Sequence, residues 1–164
     1  LRYLLGEYFG VDARNMHAYV MGEHGDSEFV PWSQAMLATK PVLEICQQSG
    51  GRYCGGELEK ISTEVRDAAQ KIIKAKKATY YGIGMAMVRI TKAVLGDESS
   101  VLTVSAMLRG EYGQSDVFAG VPCIVGRNGV QWVLSLSLSP EEQGQFENSC
   151  ATLRESYDGL NLAR

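Results

Sequence analysis

An apolar stretch ends in Gly22-Glu23-His24-Gly25-Asp26-Ser27 and leaves an imidazole between two glycines. Flanking glycines let the backbone take positive φ and lie close to a ligand, and the ring between them keeps room to turn into a pocket. An unperturbed histidine titrates at about pH 6.5, so one in a cleft can both give and take a proton near neutrality. His24 is therefore a candidate acid/base. The plainer reading is a loop histidine hydrogen-bonded for structure, and the loop alone does not decide between the two.

Several elements must hold such a residue. Leu1, Leu4, Leu5 and Tyr8 share one face of a helix over residues 1–9, and Gly10 is its stop. Residues 16–21 predict a short strand, with His17, Tyr19 and Met21 on one face and Met16, Ala18 and Val20 on the other, leading into the loop 22–27. Beyond the glycines at 50–51 and 55–56, helical spacing runs through Leu58, Ile61, Val65, Ala68, Ile72, Ile83, Met87, Ile90 and Val94. It loosens at Thr79 and Gly82, which predicts two helical stretches with an irregularity between them, closing at Leu95-Gly96.

Strands are predicted over 101–108, 117–125 and 130–138. The last two are joined through Gly126-Arg127-Asn128-Gly129, because Asn and Gly both tolerate positive φ. Ser139-Pro140-Glu141-Glu142 supplies an N-cap, a first-turn proline and a capping-box carboxylate for a terminal helix burying Phe146, Cys150, Leu153 and Tyr157. Helices packed on an antiparallel sheet, an α+β domain, is the economical fold.

With 164 residues, 45% hydrophobic and 21% charged, the chain has the composition of a folded domain with a sizeable core. A net charge of -3 offers no broad cationic face, which argues against a nucleic-acid partner. No apolar run approaches the ~20 residues of a membrane span, so no membrane partner and a cytoplasmic location are expected. Cys46, Cys54, Cys123 and Cys150 are scattered without a C-x-x-C pair and read as reduced, mostly packed thiols. His17 and His24 are not one helical turn apart, so no metal site is expected. Gly82-Ile83-Gly84-Met85-Ala86-Met87 lacks a third glycine and lies in a helical pattern, so it reads as close helix packing rather than a dinucleotide turn.

The run Gly22-Glu23-His24-Gly25-Asp26-Ser27-Glu28-Phe29-Val30-Pro31-Trp32-Ser33 closely resembles the catalytic-histidine segment of bacterial L-lactate dehydrogenases. The match continues in register from Leu1-Arg2-Tyr3-Leu4-Leu5-Gly6-Glu7 through His17-Ala18-Tyr19 to Lys77-Ala78-Thr79-Tyr80-Tyr81-Gly82-Ile83-Gly84. It extends further to Gly120-Val121-Pro122 and Arg127-Asn128-Gly129.

The resemblance implies that residues 1–164 form the substrate-binding and catalytic C-terminal domain of such an enzyme. The N-terminal Rossmann domain, which binds most of the NAD, is then outside this chain, as are the family's orienting aspartate and its carboxylate-clamping arginine, both upstream of Leu1. His24 would protonate the carbonyl oxygen of pyruvate as NADH delivers hydride, and would take the hydroxyl proton from L-lactate in reverse. Asp26 is left with a structural role in shaping the loop.

Thr79 resembles the family's substrate-pocket threonine, although a threonine in a helical run most often bonds back to the preceding turn. Ile83, one turn on, would pack against the nicotinamide, although its periodicity alone suits a core isoleucine. Arg2 and His17 match an arginine and a histidine that bind fructose 1,6-bisphosphate in the bacterial enzymes it activates. Two subunits each contribute such a pair across a twofold axis there, and the resemblance implies a homotetramer when full length. Malate dehydrogenase is the nearest enzymatic alternative, and Thr79 with the Arg2/His17 pair favours lactate dehydrogenase. A noncatalytic oligomerisation module is the alternative from a different class.

Overall fold

The structure is a computed structural model that describes residues 1–50, 52–53 and 56–160. In chain order the elements are α1 (Arg2–Phe9), β1 (Met16–His17), β2 (Met36–Leu37), β3 (Lys40–Pro41), α2 (Val42–Gln48), α3 (Gly56–Lys76) and α4 (Tyr81–Leu95). They are followed by β4 (Ser100–Arg109), β5 (Ser115–Gly126), β6 (Gly129–Val133) and α5 (Pro140–Gly159). Both sheets, β1-β2-β3 and β4-β5-β6, are antiparallel throughout. This is the expected α+β arrangement.

The alternation that predicts the large sheet is the one that builds it. Val117, Ala119, Val121, Cys123 and Val125 of β5 are all buried, and Ala106 and Leu108 of β4 join them. Helix α5 covers this face with Phe146 and Cys150, both at zero exposure. The cap is as predicted: Ser139 Oγ accepts from Glu142 N at 3.2 Å, and Ser139 N donates to Glu142 Oε2 at 2.9 Å, with Pro140 in the first turn. The ring of Phe146 packs edge-on to Phe29 at 6.3 Å and against Tyr112 at 4.8 Å. A buried ring like this contributes about 3–5 kcal/mol against truncation to alanine. A second core gathers Leu5 and Phe9 of α1, Met16, Val42, Leu58 and Ile61.

Several expectations are corrected. The strand expected over 16–21 ladders only at Met16 and His17, while Met21 and Gly22 pair singly with Phe29 and Gly120. The segment crosses from one core to the other, because Met16 and Ala18 lie in the second and Met21 in the first. The strand expected over 130–138 stops at Val133. There Leu134 N reaches the Pro122 carbonyl at 2.8 Å, but proline has no N–H to return the bond. Tyr112 Oη takes over, donating to the Leu134 carbonyl at 2.8 Å and accepting from Leu136 N at 3.0 Å.

In the β5–β6 hairpin only Gly129 has positive φ (82°), and Arg127-Asn128 forms the loop between the paired Gly126 and Gly129. Tyr157 is 52% exposed rather than buried, because it lines an open cleft between β5 and the end of α5. Ile72, Ile83, Met87 and Ile90 are also exposed despite their core-like spacing, and of α4 only Ala93 is fully buried. Gly82 and Gly84 face open space, so they mark no close helix packing. Cys46, Cys123 and Cys150 are buried, as expected of packed thiols, whereas Cys54 lies outside the described residues.

Candidate active site

The His24 loop is held at both ends by main-chain pairing. Met21 and Phe29 exchange hydrogen bonds of 2.9 and 3.2 Å, and Gly22 and Gly120 exchange bonds of 2.9 and 2.7 Å. Gly22 has φ 93°, and a Cβ there would stand 2.3 Å from Ser149 Oγ of α5, so both conformation and space require glycine. Within the loop the Glu23 carboxylate turns inward and accepts from Ser27 N at 3.2 Å and from Ser27 Oγ. Asp26 is exposed and makes no side-chain hydrogen bond among the described residues. The loop-shaping role expected of Asp26 therefore belongs to Glu23, whose carboxylate closes the turn on Ser27 four residues later.

His24 projects fully into the open, with Nδ1 3.6 Å from Oε2 of a Glu28 that is only 10% exposed. That distance is an electrostatic contact rather than a hydrogen bond. It turns Nδ1 toward the carboxylate, and the rest of the ring is open to solvent. Glu28 is itself fixed: its N–H donates to the Gly25 carbonyl at 3.2 Å, and its carbonyl accepts from Arg66 Nη2 at 3.3 Å. Sequence reasoning missed Glu28, although its position four residues after the histidine is visible in the sequence.

The other candidates lie elsewhere. Thr79 sits in the link between α3 and α4, after Lys77 at φ 65° and before Tyr80 at φ -149°, and not inside a helix. Ile83 is in the first turn of α4 and is 61% exposed. No hydrogen bond or ion pair among the described residues joins either of them to the His24 loop. Arg2 opens α1 and donates from Nη2 to the carbonyls of Ala13 at 3.3 Å and Arg14 at 3.5 Å, bracing the turn that leads into β1. His17 is exposed on β1, opposite Met36. Arg14, paired with Asp12 at 2.8 Å, adds a cation near this corner that the sequence reading passed over.

Among the described residues no group of His, Cys, Asp or Glu could hold a metal, and no helix is long and apolar enough to cross a membrane. A cleft of about 600 Å³ between β5 and the end of α5 is lined by Met107, Phe118, Leu153 and Tyr157 among others. It contains none of the candidate residues.

An antiparallel sheet is thus backed by a C-terminal helix, and a braced loop presents one exposed histidine. The chain belongs to the lactate/malate dehydrogenase family, alpha/beta C-terminal domain, which matches residues 1–161. It is 50% identical over 157 residues to an L-lactate dehydrogenase of Priestia megaterium, covering 96% of this chain and 49% of that protein. To the L-lactate dehydrogenase of Geobacillus stearothermophilus it is 48% identical over 153 residues, covering 93% and 48%.

Among solved structures, the ligand-bound minor L-lactate dehydrogenase of Enterococcus mundtii superposes with a TM-score of 0.94 at 43% identity, covering 99% of this chain and 51% of that one. The chain thus spans about half the length of the relatives it matches.

Proposed function

We propose that this chain is the substrate-handling half of an NAD-dependent L-lactate dehydrogenase and that His24 is its acid/base. The observation that carries the reading is the exposed imidazole on a loop braced from two sides, with a buried carboxylate 3.6 Å from Nδ1. Relatives named L-lactate dehydrogenase at about half identity support the substrate class. In pyruvate reduction, His24 Nε2–H gives its proton to the carbonyl oxygen, and in lactate oxidation Nε2 takes the hydroxyl proton. Glu28 keeps Nδ1 turned away from the substrate. The aspartate that the resemblance implies upstream of Leu1 would orient the ring from its other nitrogen.

NAD is the cofactor of this proposal, and when bound in its reduced form it supplies the hydride. The residues present fit it only as a wall: Ile83 offers an exposed apolar side chain at the start of α4, suited to a flat ring face. The phosphates and ribose would be held by a Rossmann domain N-terminal to residues 1–164. Thr79, at the mouth of the α3–α4 link, narrows the substrate pocket. Arg2 and His17 form the fructose 1,6-bisphosphate site across a subunit interface of a homotetramer, supported by the adjacency of α1 and the turn before β1.

The test is NADH oxidation by the full-length protein with pyruvate and with oxaloacetate. A specificity constant for pyruvate at least about 10²-fold above that for oxaloacetate is expected, because recognising or rejecting the second carboxylate is a charged discrimination. The reverse preference would make the protein a malate dehydrogenase. No turnover of either would leave the noncatalytic module.

A further inference from the structure

The His24 loop is tied to a residue 126 positions away in the chain. Glu23 N donates to Ser149 Oγ at 2.6 Å, and Ser27 Oγ lies 3.1 Å from the same oxygen. Ser149 is fully buried in α5. Hydroxyls elsewhere in that helix bond back one turn, as Thr152 does to the Asn148 carbonyl and Ser156 to the Thr152 carbonyl. Ser149 is instead committed to the loop.

The protons can be assigned from the partners. The Glu23 carboxylate can only accept, so Ser27 Oγ spends its proton there. The contact between the two hydroxyls must then run from Ser149 O–H to Ser27 Oγ, and the remaining lone pairs of Ser149 take the Glu23 N–H. Glu23 main chain, Ser149, Ser27 and Glu23 side chain thus form a closed ring in which each hydroxyl gives once and accepts once. It ends one residue before His24. The packing is as close as the bonding, since Gly22 leaves no room for a Cβ beside Ser149.

Resting on the proposed role of His24 as acid/base, we infer that Ser149 is a positioning residue for catalysis, using α5 to fix the direction of the imidazole through Glu23 and Ser27. Removing its hydroxyl leaves a main-chain N–H without its partner and opens the ring while changing side-chain volume little. The imidazole then samples directions away from the substrate, and displacements of an ångström at a reacting group cost up to about 10²-fold in rate.

The experiment uses the full-length protein with Ser149→Ala, Ser27→Ala, and Thr152→Ala as a control. Each is read by kcat, by KM for pyruvate and by amide hydrogen exchange. For Ser149→Ala we expect kcat to fall at least about tenfold with KM within about twofold. Exchange should rise at Glu23 through Ser27 but not in β4 and β5. Ser27→Ala, which breaks the same ring at a half-buried position, should give the same pattern even if Ser149→Ala fails to fold. Thr152→Ala should match the parent.

Unchanged kcat and loop exchange would overturn the inference, as would exchange that rises equally through α5 and the sheet. His24→Asn run alongside separates the two readings. Turnover lost there but intact in Ser149→Ala refutes the role of Ser149 alone, and turnover intact in His24→Asn refutes the function it rests on.

Discussion

Glu142 in the first turn of α5 receives both polar hydrogens of Ser33, 109 positions earlier: Ser33 N donates to Oε1 at 2.8 Å and Ser33 Oγ donates to Oε2. Ser139 N donates to Oε2 as well, so one buried carboxylate joins the helix cap to the segment that follows the His24 loop. Burial alone would raise its pKa, but the bonds from Ser33 and Ser139 outweigh burial and hold it below the ordinary glutamate value.

A depressed folded-state pKa stabilises the fold above the unfolded value, and that contribution is lost as pH falls through the folded one. Glu142→Gln in the full-length protein should therefore lower the urea midpoint of this domain at pH 7 by an amount equivalent to about 1–3 kcal/mol. The gap to the parent should close as pH drops below about 4. A gap independent of pH would show that the charge on Glu142 contributes nothing.

Cys123 sits at zero exposure in the main core, and burial, with a smaller push from Glu111, raises its thiol to about 11. Only about one molecule in a thousand would carry the reactive thiolate at pH 8. Site-resolved mass spectrometry after brief iodoacetamide treatment should find Cys123 unmodified in the native protein and modified after unfolding. Native labelling would contradict its burial.

Thr79→Gly should relax the pocket toward 2-oxo acids bulkier than pyruvate. A methylene-sized change in a pocket is worth about 1–3 kcal/mol, so the ratio of kcat/KM values for pyruvate and a larger analogue should fall about tenfold. An unchanged ratio would remove Thr79 from the pocket.

Arg2 and His17 are the two side chains proposed to hold the phosphates of the effector. Titration calorimetry with fructose 1,6-bisphosphate on the full-length protein should show Arg2→Gln and His17→Gln each weakening binding by about tenfold, the size of one lost charge-assisted contact. Unchanged affinity for either variant would exclude that residue from the site.

The parts of the fold that were legible in the sequence are those whose signal is local. The capping box at Ser139 and Glu142, the alternation of Val117 to Val125 and the stop at Gly10 each depend on a few adjacent residues, and each forms as expected. The misreadings have nonlocal causes. The end of β6 is set by Pro122 on the facing strand, and the exposure of Ile83 and Met87 reflects which elements α4 packs on rather than its periodicity. In the candidate site, His24 stood out by its glycines. Ser149 carried no signal, because its function depends on a loop brought to it by the tertiary fold.

The most direct test of His24 as the acid/base is single-turnover oxidation of NADH by pyruvate in the full-length His24→Asn variant, with folding verified by circular dichroism. Asparagine can keep a hydrogen bond but cannot release a proton at neutral pH, so the rate should fall by about 10²-fold or more while the fold persists. A rate within about threefold of the parent would mean that the proton comes from elsewhere.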